Sequence, residues 1–291
     1  MKLFFVSILS LFLMGAGYQT LSLDEVVSII QTPNGQFDVL CKDHSRELVS
    51  KEDLLNNNIC PHQPTPQLPM LDILFVIDNS GSMSSSQQKL SSYAEEMIRD
   101  LVARKIDFQI AITTTEAYKA DFIPDPSLSL FKSYNGQSIL NSDTPHIIDV
   151  FKQLILQGTN GSGDERAFHS FKASLENPQN SNFLRTGAQL RIYILSDEDD
   201  FSHKKENYDN NYNNPNLYNM EYFTEYLDQA TQSPNPGENY SVSAIAIFDE
   251  ACKTQMDNEF GGRKIGYRYQ ELVDATGGEK ISLCDLQIPQ F

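Results

Sequence analysis

The sequence lacks an excess of basic side chains. Among its 291 residues, 22 are Lys or Arg and 39 are Asp or Glu, which gives a formal net charge of −17. Because the phosphates of a nucleic acid would be repelled over most of such a surface, this composition argues against a nucleic-acid partner. The chain is 40% hydrophobic, however, which is enough for a real core and argues against disorder.

Beyond the N-terminus, the sequence also lacks any apolar run close to the roughly 20 residues that a membrane-spanning helix needs. The N-terminal run is shorter: Lys2 is followed by residues 3–14, which are apolar except for two serines, and then by the small residues 15–17. This pattern is typical of a secretory signal peptide over residues 1–17. We therefore expect an exported protein, periplasmic or extracellular, without a membrane span.

Cysteine is scarce, and the four cysteines lie in two local pairs, Cys41 with Cys60 and Cys252 with Cys284. In an oxidising compartment, a disulfide within each pair is the simplest interpretation, although it rests only on proximity along the chain. A zinc site is the alternative for the first pair, because His44 and His62 follow its two cysteines closely.

Proline is concentrated between residues 61 and 69, where four of nine residues are Pro. Such a segment favours an extended, semi-rigid linker. It separates a small N-terminal segment, residues 18–60, from a larger domain, residues 70–291. The small segment has too few residues for an independent core unless its disulfide staples it.

After the linker, short apolar segments alternate with amphipathic ones. Residues 73–77 form a continuous apolar run, as in a strand that is buried on both faces. Apolar side chains between Leu90 and Val102 recur at helical spacing and predict one amphipathic helix. Further strands are predicted at 108–113, 190–195 and 242–248, with helices at 147–156 and 269–275. This alternation predicts an α/β fold, a doubly wound and mostly parallel sheet with helices on both faces.

Polar side chains follow the ends of the predicted strands, where ligands bind in sheets of this kind. The candidate ligands are Asp78, Ser80 and Ser82 after the first strand, Thr159 and Ser162 in the glycine-rich turn 158–163, and Asp197 after the third strand. Together they offer an all-oxygen shell, which suits Mg²⁺, Mn²⁺ or Ca²⁺. Asp78, Ser80 and Ser82 could instead cap the next helix, but the second acidic strand end and the glycine turn favour a metal.

Three neighbouring features are interpreted more conservatively. The acidic residues 198–200 are expected to be a solvated rim or helix caps, rather than ligands of a second cation. The Tyr- and Asn-rich stretch 205–220 is expected to be a surface loop that either recognises a partner or only adds solubility. His169 lies one residue off the apolar face of its predicted helix, and we expect it at the surface.

The segment DILFVIDNSGSM, residues 72–83, resembles the opening of a von Willebrand factor type A (vWA) domain. The metal-ion-dependent adhesion site (MIDAS) of that family begins with Asp-x-Ser-x-Ser. The resemblance covers about residues 70–285, through 158–163, 194–200 and 273–278, and is to the exported bacterial type.

The resemblance also implies roles for individual residues. Ser80 and Ser82 would bind the cation directly, and Asp78 and Asp197 would bind it directly or through water. The family places a threonine in the middle turn. Here Thr159 has the matching side chain, whereas Ser162 has the better spacing to the next helix, so either hydroxyl is a candidate.

An ion with few carboxylate ligands stays electron-poor and attracts an external carboxylate. The sequence therefore predicts an exported, non-enzymatic adhesion protein that binds a carboxylate-bearing protein or surface polymer through Mg²⁺, or through Mn²⁺ or Ca²⁺. It carries no Gly-x-Ser-x-Gly elbow, phosphate-binding Gly-Lys-Ser/Thr loop or His-Glu-x-x-His motif that would indicate an enzyme. The alternative is an envelope assembly or scaffold protein in which the metal is structural and the loop 205–220 binds the partner.

Overall fold

The computed structural model describes residues 26–41, 46–55 and 69–286, and the chain divides into two compact units, 1–67 and 68–291. The predicted signal peptide and nearly all of the predicted linker lie outside the described residues. In the part that is described, no helix is long and apolar enough to cross a membrane.

The small unit is an antiparallel sheet followed by one helical turn. Its elements are β1 (Val26–Gln31), β2 (Phe37–Cys41), β3 (Arg46–Val49) and α1 (Lys51–Leu55), and β2 is the central strand. Val39, Cys41 and Val49 form its core. Cys41 is disulfide-bonded, but Cys60 and the two histidines of the zinc alternative lie outside the described residues.

The large unit is a six-stranded sheet surrounded by helices. Its elements are β4 (Met70–Ile77), α2 (Ser84–Ser92), α3 (Ala94–Ala103), β5 (Asp107–Thr114), β6 (Ile139–Leu140), α4 (Ile147–Ile155), α5 (Ala167–Glu176), β7 (Gln189–Leu195), α6 (Met220–Thr231), β8 (Tyr240–Ala246), α7 (Glu250–Asp257), α8 (Tyr267–Thr276) and β9 (Lys280–Ser282). The strand order is β6-β5-β4-β7-β8-β9, and every pair is parallel except β5 with β6. The predicted α/β fold class is confirmed.

The core lies on both faces of this sheet, because β4 alternates its buried side chains between them. Ile73, Phe75 and Ile77 pack against α2, α3 and α4 on one face. Leu74 and Val76 face α5, α6 and α8 on the other. The helix predicted over 90–102 is two helices, since α2 ends at Ser92 and α3 begins at Ala94.

The C-terminal part of the large unit is held by a disulfide. Cys252 on α7 is bonded to Cys284, which follows β9, and the predicted pairing is confirmed. The bridge closes a loop that contains all of α8.

Strand order reverses at β4. The chain passes from β4 to β5 on one side, and β7 later pairs with the other side of β4. In parallel sheets, the loops that leave two such strands diverge and open a crevice at their carboxyl ends. The loops after β4 and β7 therefore flank the place where a ligand is expected.

Candidate metal centre

Asp78 and Asp197 lie at the crevice because they follow paired strand ends. Ile77 of β4 is in register with Leu195 of β7, and the Asp78 amide donates to the Leu195 carbonyl at 2.9 Å. Both carboxylates are completely buried. The parallel register thus brings together two acids that are more than a hundred residues apart in sequence.

The two serines of the first loop reach the same place. The Oδ1 atom of Asp78 accepts a hydrogen bond from the Ser80 amide at 2.7 Å, which turns the chain sharply after β4. The Oγ atoms of Ser80 and Ser82 are 3.3 Å apart, and the Ser82 hydroxyl donates to Oδ1 of Asp197 at 3.1 Å. Helix α2 begins with Met83 as its N-cap and has no side-chain cap, so the capping alternative is wrong.

The glycine-rich turn is held against this loop. The Gly161 amide donates to the Asn79 carbonyl at 2.7 Å. A Cβ atom at Gly161 would lie 2.7 Å from that same carbonyl oxygen, so no side chain fits there. The Gln87 side chain fixes the other end of the turn: its Nε2 donates to the carbonyls of Asp78 and Gly158, and its Oε1 accepts from the Gly158 amide.

Glu165 is a site residue that the sequence analysis missed. It lies between the glycine turn and α5, is buried, and joins Asp78 and Asp197 in a cluster whose ligand atoms all lie within 4.8 Å of one another. The Ser196 hydroxyl donates to Oδ2 of Asp78 at 2.8 Å and is 3.2 Å from Oε2 of Glu165. The position of Glu165 two residues after the glycine turn is the signal that could have identified it.

The two hydroxyls predicted in that turn are placed differently. Ser162 is exposed, and its amide and Oγ both donate to Oε1 of Glu116, at 2.9 and 2.7 Å. Thr159 is half-buried, and within the described residues no hydrogen bond joins it to the acid cluster. The segment from the glycine turn to α5 thus contributes the Glu165 carboxylate to the cluster. A cation contact from Thr159 or Ser162 stays a prediction.

Two carboxylate oxygens of the cluster lack an aligned hydrogen-bond donor. They are Glu165 Oε1, which is buried without a partner in the described part of the chain, and Asp197 Oδ2. Leaving such atoms unpaired is costly, and a bound cation would satisfy them. Carboxylate, amide and hydroxyl oxygens are the donors that hard divalent cations prefer. The residues therefore fit a cation of this class, and the three buried carboxylates could hold one.

The pKa values of the carboxyl groups in the cluster also favour a cation site. Burial is the largest cause that raises the pKa of Asp78, and it raises the pKa of Glu165 well above the usual value. Burial and the nearby Asp78 charge raise the pKa of Asp197 to about 6. Burial also raises the pKa of Glu198 to about 7. A cation would stabilise the ionised forms and reverse these shifts.

Two basic residues from the loop between α7 and α8 also reach the site. Arg263 Nε is 2.8 Å from Asp197 Oδ2, and Lys264 Nζ is 3.9 Å from Glu198 Oε2. Neither contact was predicted from the sequence, because no strand or motif places this loop beside β7.

The acidic residues that follow Glu198 are helix caps. Asp200 Oδ1 accepts from the Phe168 amide at 3.0 Å, in the first turn of α5. Asp199 accepts from the Arg268 amide at 3.1 Å, in the first turn of α8, and from the Tyr212 hydroxyl at 2.8 Å. Both are fully buried, so the capping interpretation is confirmed and a solvated rim is wrong for these two.

The loop 205–220 is tied to the core at both ends. The buried Arg166 guanidinium donates to the carbonyls of Lys205, Glu206 and Asn207.

The prediction of a surface position for His169 is wrong. It is buried, and its Nε2 is 2.6 Å from Oδ2 of Asp121, a residue of the 3₁₀ turn that packs over α5.

Comparisons with known proteins add little to this picture. No protein-family model and no curated protein matches the chain. Similar solved structures include the open conformation of the pilus adhesin SpaC from Lactobacillus rhamnosus GG, at 12% identity over 74% of this chain and 28% of that one, with a TM-score of 0.40. They also include proximal thread matrix protein 1 from the mussel byssus, at 14% over 75% and 43%, with a TM-score of 0.37. A third is the human COPII-coat protein Sec24c, at 8% over 87% and 38%, with a TM-score of 0.39. The chain spans less than half the length of each, so what it binds is inferred below from its own residues.

Proposed function

We propose that this chain is an exported, non-enzymatic adhesion protein that binds a carboxylate on a partner protein or surface polymer through a divalent cation. The observation that carries the proposal is the cluster of three buried carboxylates, from three different loops, whose ligand atoms lie within 4.8 Å of one another. Asp78, Asp197 and Glu165 would hold the cation together with the hydroxyls of Ser80 and Ser82.

The location of the cluster supports binding of an external group. Asp78, Glu165 and Asp197 close the inner side, whereas Ser82 and Glu198 are only half-buried. Mg²⁺, Mn²⁺ and Ca²⁺ accept six or more oxygen ligands, so an acid approaching along this partly open side could complete the shell. The bound cation would offer that acid an open coordination position.

Two further features support export and a binding role rather than a catalytic one. The Cys252–Cys284 disulfide fits an oxidising compartment, in line with the predicted signal peptide. Binding rather than catalysis is favoured because none of the hydrolase or phosphate-transfer motifs considered above is present in the sequence.

Calorimetric titration of the protein with Mn²⁺ tests the cation site. We expect the wild type to bind Mn²⁺ and Asp78→Asn to bind it at least about tenfold more weakly, because a neutral amide replaces a buried carboxylate ligand. Asp143→Asn removes an exposed carboxylate outside the cluster and should change nothing. Absence of Mn²⁺ uptake by the folded wild type at millimolar concentration would overturn the proposal.

A second candidate function is that the cation is structural and the loop 205–220 binds the partner. The observation in its favour is that the residues Tyr208 and Tyr212 are 57% and 47% exposed on a loop that is itself anchored. Deleting the loop would leave the buried Arg166 without its carbonyl partners, so a point variant is the better test. Loss of partner binding in Tyr208→Ser, with Mn²⁺ binding retained, would favour this candidate over the first.

A further inference from the structure

Arg263 is a buried cationic side chain beside the acid cluster. It belongs to the loop between α7 and α8, and its side chain is 3% exposed. The loop is fixed at this point: the Arg263 amide donates to Oδ1 of Asp257 at 3.0 Å, and the Lys264 amide donates to the Asp197 carbonyl at 3.3 Å. The guanidinium is thus placed by the backbone and not only by its own contacts.

The contacts of this guanidinium are few for so buried a group. Its Nε is 2.8 Å from Asp197 Oδ2, but the two atoms are not aligned for a hydrogen bond. The exposed ring of Phe260 lies 5.4 Å from its Cζ. Among the residues that the structure describes, no hydrogen bond from the Arg263 guanidinium is found.

Arg166 shows what a purely structural arginine looks like in this fold. Its guanidinium is also buried, yet it donates to both carboxylate oxygens of Asp164 and to several loop carbonyls. Buried donors are normally satisfied in this way, and those that are not need an explanation. Arg263 differs from Arg166 because, among the described residues, no acceptor pairs with its guanidinium N–H groups. These groups lie next to the place where a ligand is expected.

Charge balance gives Arg263 a second role. Three ionised carboxylates would over-compensate a divalent cation by one negative charge, and an incoming acid would then be repelled. The Arg263 charge removes that excess, so a loaded site made of Asp78, Glu165, Asp197, Arg263 and one divalent cation is neutral as a whole.

We propose that Arg263 is a ligand-binding residue, which takes one oxygen of the partner's carboxylate while the cation takes the other. This inference rests on the proposed function and specifies its ligand chemistry. The guanidinium donates from fixed, planar N–H groups, and its charge-assisted hydrogen bond to a carboxylate oxygen is stronger than a neutral one. A neutral hydroxyl ligand has one oxygen and no charge, so it cannot give one oxygen to the cation and another to Arg263, and the site selects acids.

The test uses the protein loaded with Mn²⁺, with acetate as the probe. Water-proton relaxation measures both Mn²⁺ binding and the displacement of Mn²⁺-bound water by acetate. The variants are Arg263→Gln, which removes both the charge and the planar guanidinium, and Arg263→Lys, which keeps the charge but replaces the guanidinium by an ammonium group. Arg104→Gln is the matched control, because it removes the same side chain from an exposed position before β5, at the edge of the sheet opposite the site.

We expect Arg263→Gln to weaken acetate binding at least about tenfold, because it loses charge-assisted hydrogen bonds. The same variant should bind Mn²⁺ about tenfold more tightly, because a positive charge next to a ligand carboxylate has gone. Arg263→Lys should bind Mn²⁺ like the wild type and acetate less well, and Arg104→Gln should change acetate affinity less than about twofold. Loss of the charge alone would also move the two affinities in opposite directions. Weaker acetate binding by Arg263→Lys, at unchanged Mn²⁺ affinity, is therefore the result that a charge without a contact would not give.

If wild type, Arg263→Gln and Arg263→Lys bind acetate equally while all three hold Mn²⁺, the inference is overturned and the proposed function stands. If the wild type holds Mn²⁺ but no acetate displaces its water, both the carboxylate ligand and the role of Arg263 are overturned. A wild type that binds no Mn²⁺ overturns the proposed function itself. If Arg263→Gln does not fold, Arg263→Lys alone decides between the first outcome and the expected one.

Discussion

Glu165 is buried beside two other carboxylates, and in the cation-free protein this arrangement opposes folding at neutral pH. Burial, followed by the charge of Asp78, raises the pKa of Glu165 well above its usual value of 4.5. The folded protein therefore binds a proton at Glu165 more tightly than the unfolded chain does. The contribution of Glu165 to the stability of the folded protein is therefore complete below pH 4.5. It is lost as the pH rises through the pKa of Glu165 in the folded state.

Glu165→Gln should remove this pH dependence. In the presence of chelator, we expect the melting temperature of the variant to exceed that of the wild type by a few degrees at pH 8, with a smaller difference at pH 5. Added Mn²⁺ should stabilise the wild type more than the variant, since the variant loses a ligand. The measurement is thermal unfolding followed by circular dichroism at both pH values.

Glu96→Gln is the control for that comparison, since Glu96 is exposed on α3. An equal pH response in wild type and Glu165→Gln, without cation, would contradict the account of the cluster.

At the scale of the element, the glycine-rich turn fixes the third side of the site. Gly161 packs against Asn79 so closely that an added Cβ would lie 2.5 Å from Asn79 Oδ1 and 2.7 Å from its backbone oxygen. Because real Cβ atoms do not approach so closely, the turn must move away from the first loop when the residue is enlarged.

Gly161→Ala should therefore destabilise the protein by about 1–3 kcal/mol, as over-packing does elsewhere, and should weaken Mn²⁺ binding because Glu165 shifts with the turn. Urea unfolding and Mn²⁺ titration check the two effects. Gly163→Ala is the matched control: it lies in the same turn with nothing within 4 Å of an added Cβ. Equal behaviour of the two variants would be evidence against the close contact.

The disulfide acts on a neighbouring element. Cys252 and Cys284 are separated by 32 residues, and the loop they close contains the Arg263 segment and α8. Loop-closure entropy for a cross-link of this length is about 4 kcal/mol at 25 °C. We expect the double variant Cys252→Ala/Cys284→Ala to lose about 3–4 kcal/mol of unfolding free energy in urea. Reduction of the wild type also breaks the disulfide of Cys41, so it should lower the unfolding free energy at least as much. An unchanged midpoint in the double variant would contradict the expected effect.

At the scale of the whole molecule, the sequence predicted the sheet well because buried parallel strands leave continuous apolar runs such as residues 73–77. The convergence of Asp78, Ser80, Ser82 and Asp197 followed from the same pattern, since parallel strands end at one edge. Glu165 and Arg263 were not predicted, because the path of a loop around the sheet edge leaves no periodic signal. The error at His169 has a similar cause: its partner, Asp121, lies 48 residues away in sequence.

The most direct test of the central claim is a crystal of the protein soaked in Mn²⁺, with data collected at a wavelength where manganese scatters anomalously. We expect an anomalous peak enclosed by Asp78, Glu165 and Asp197, with an oxygen of Ser80 or Ser82 in its coordination shell. A well-ordered crystal with an empty cluster, or with manganese bound only elsewhere, would contradict it.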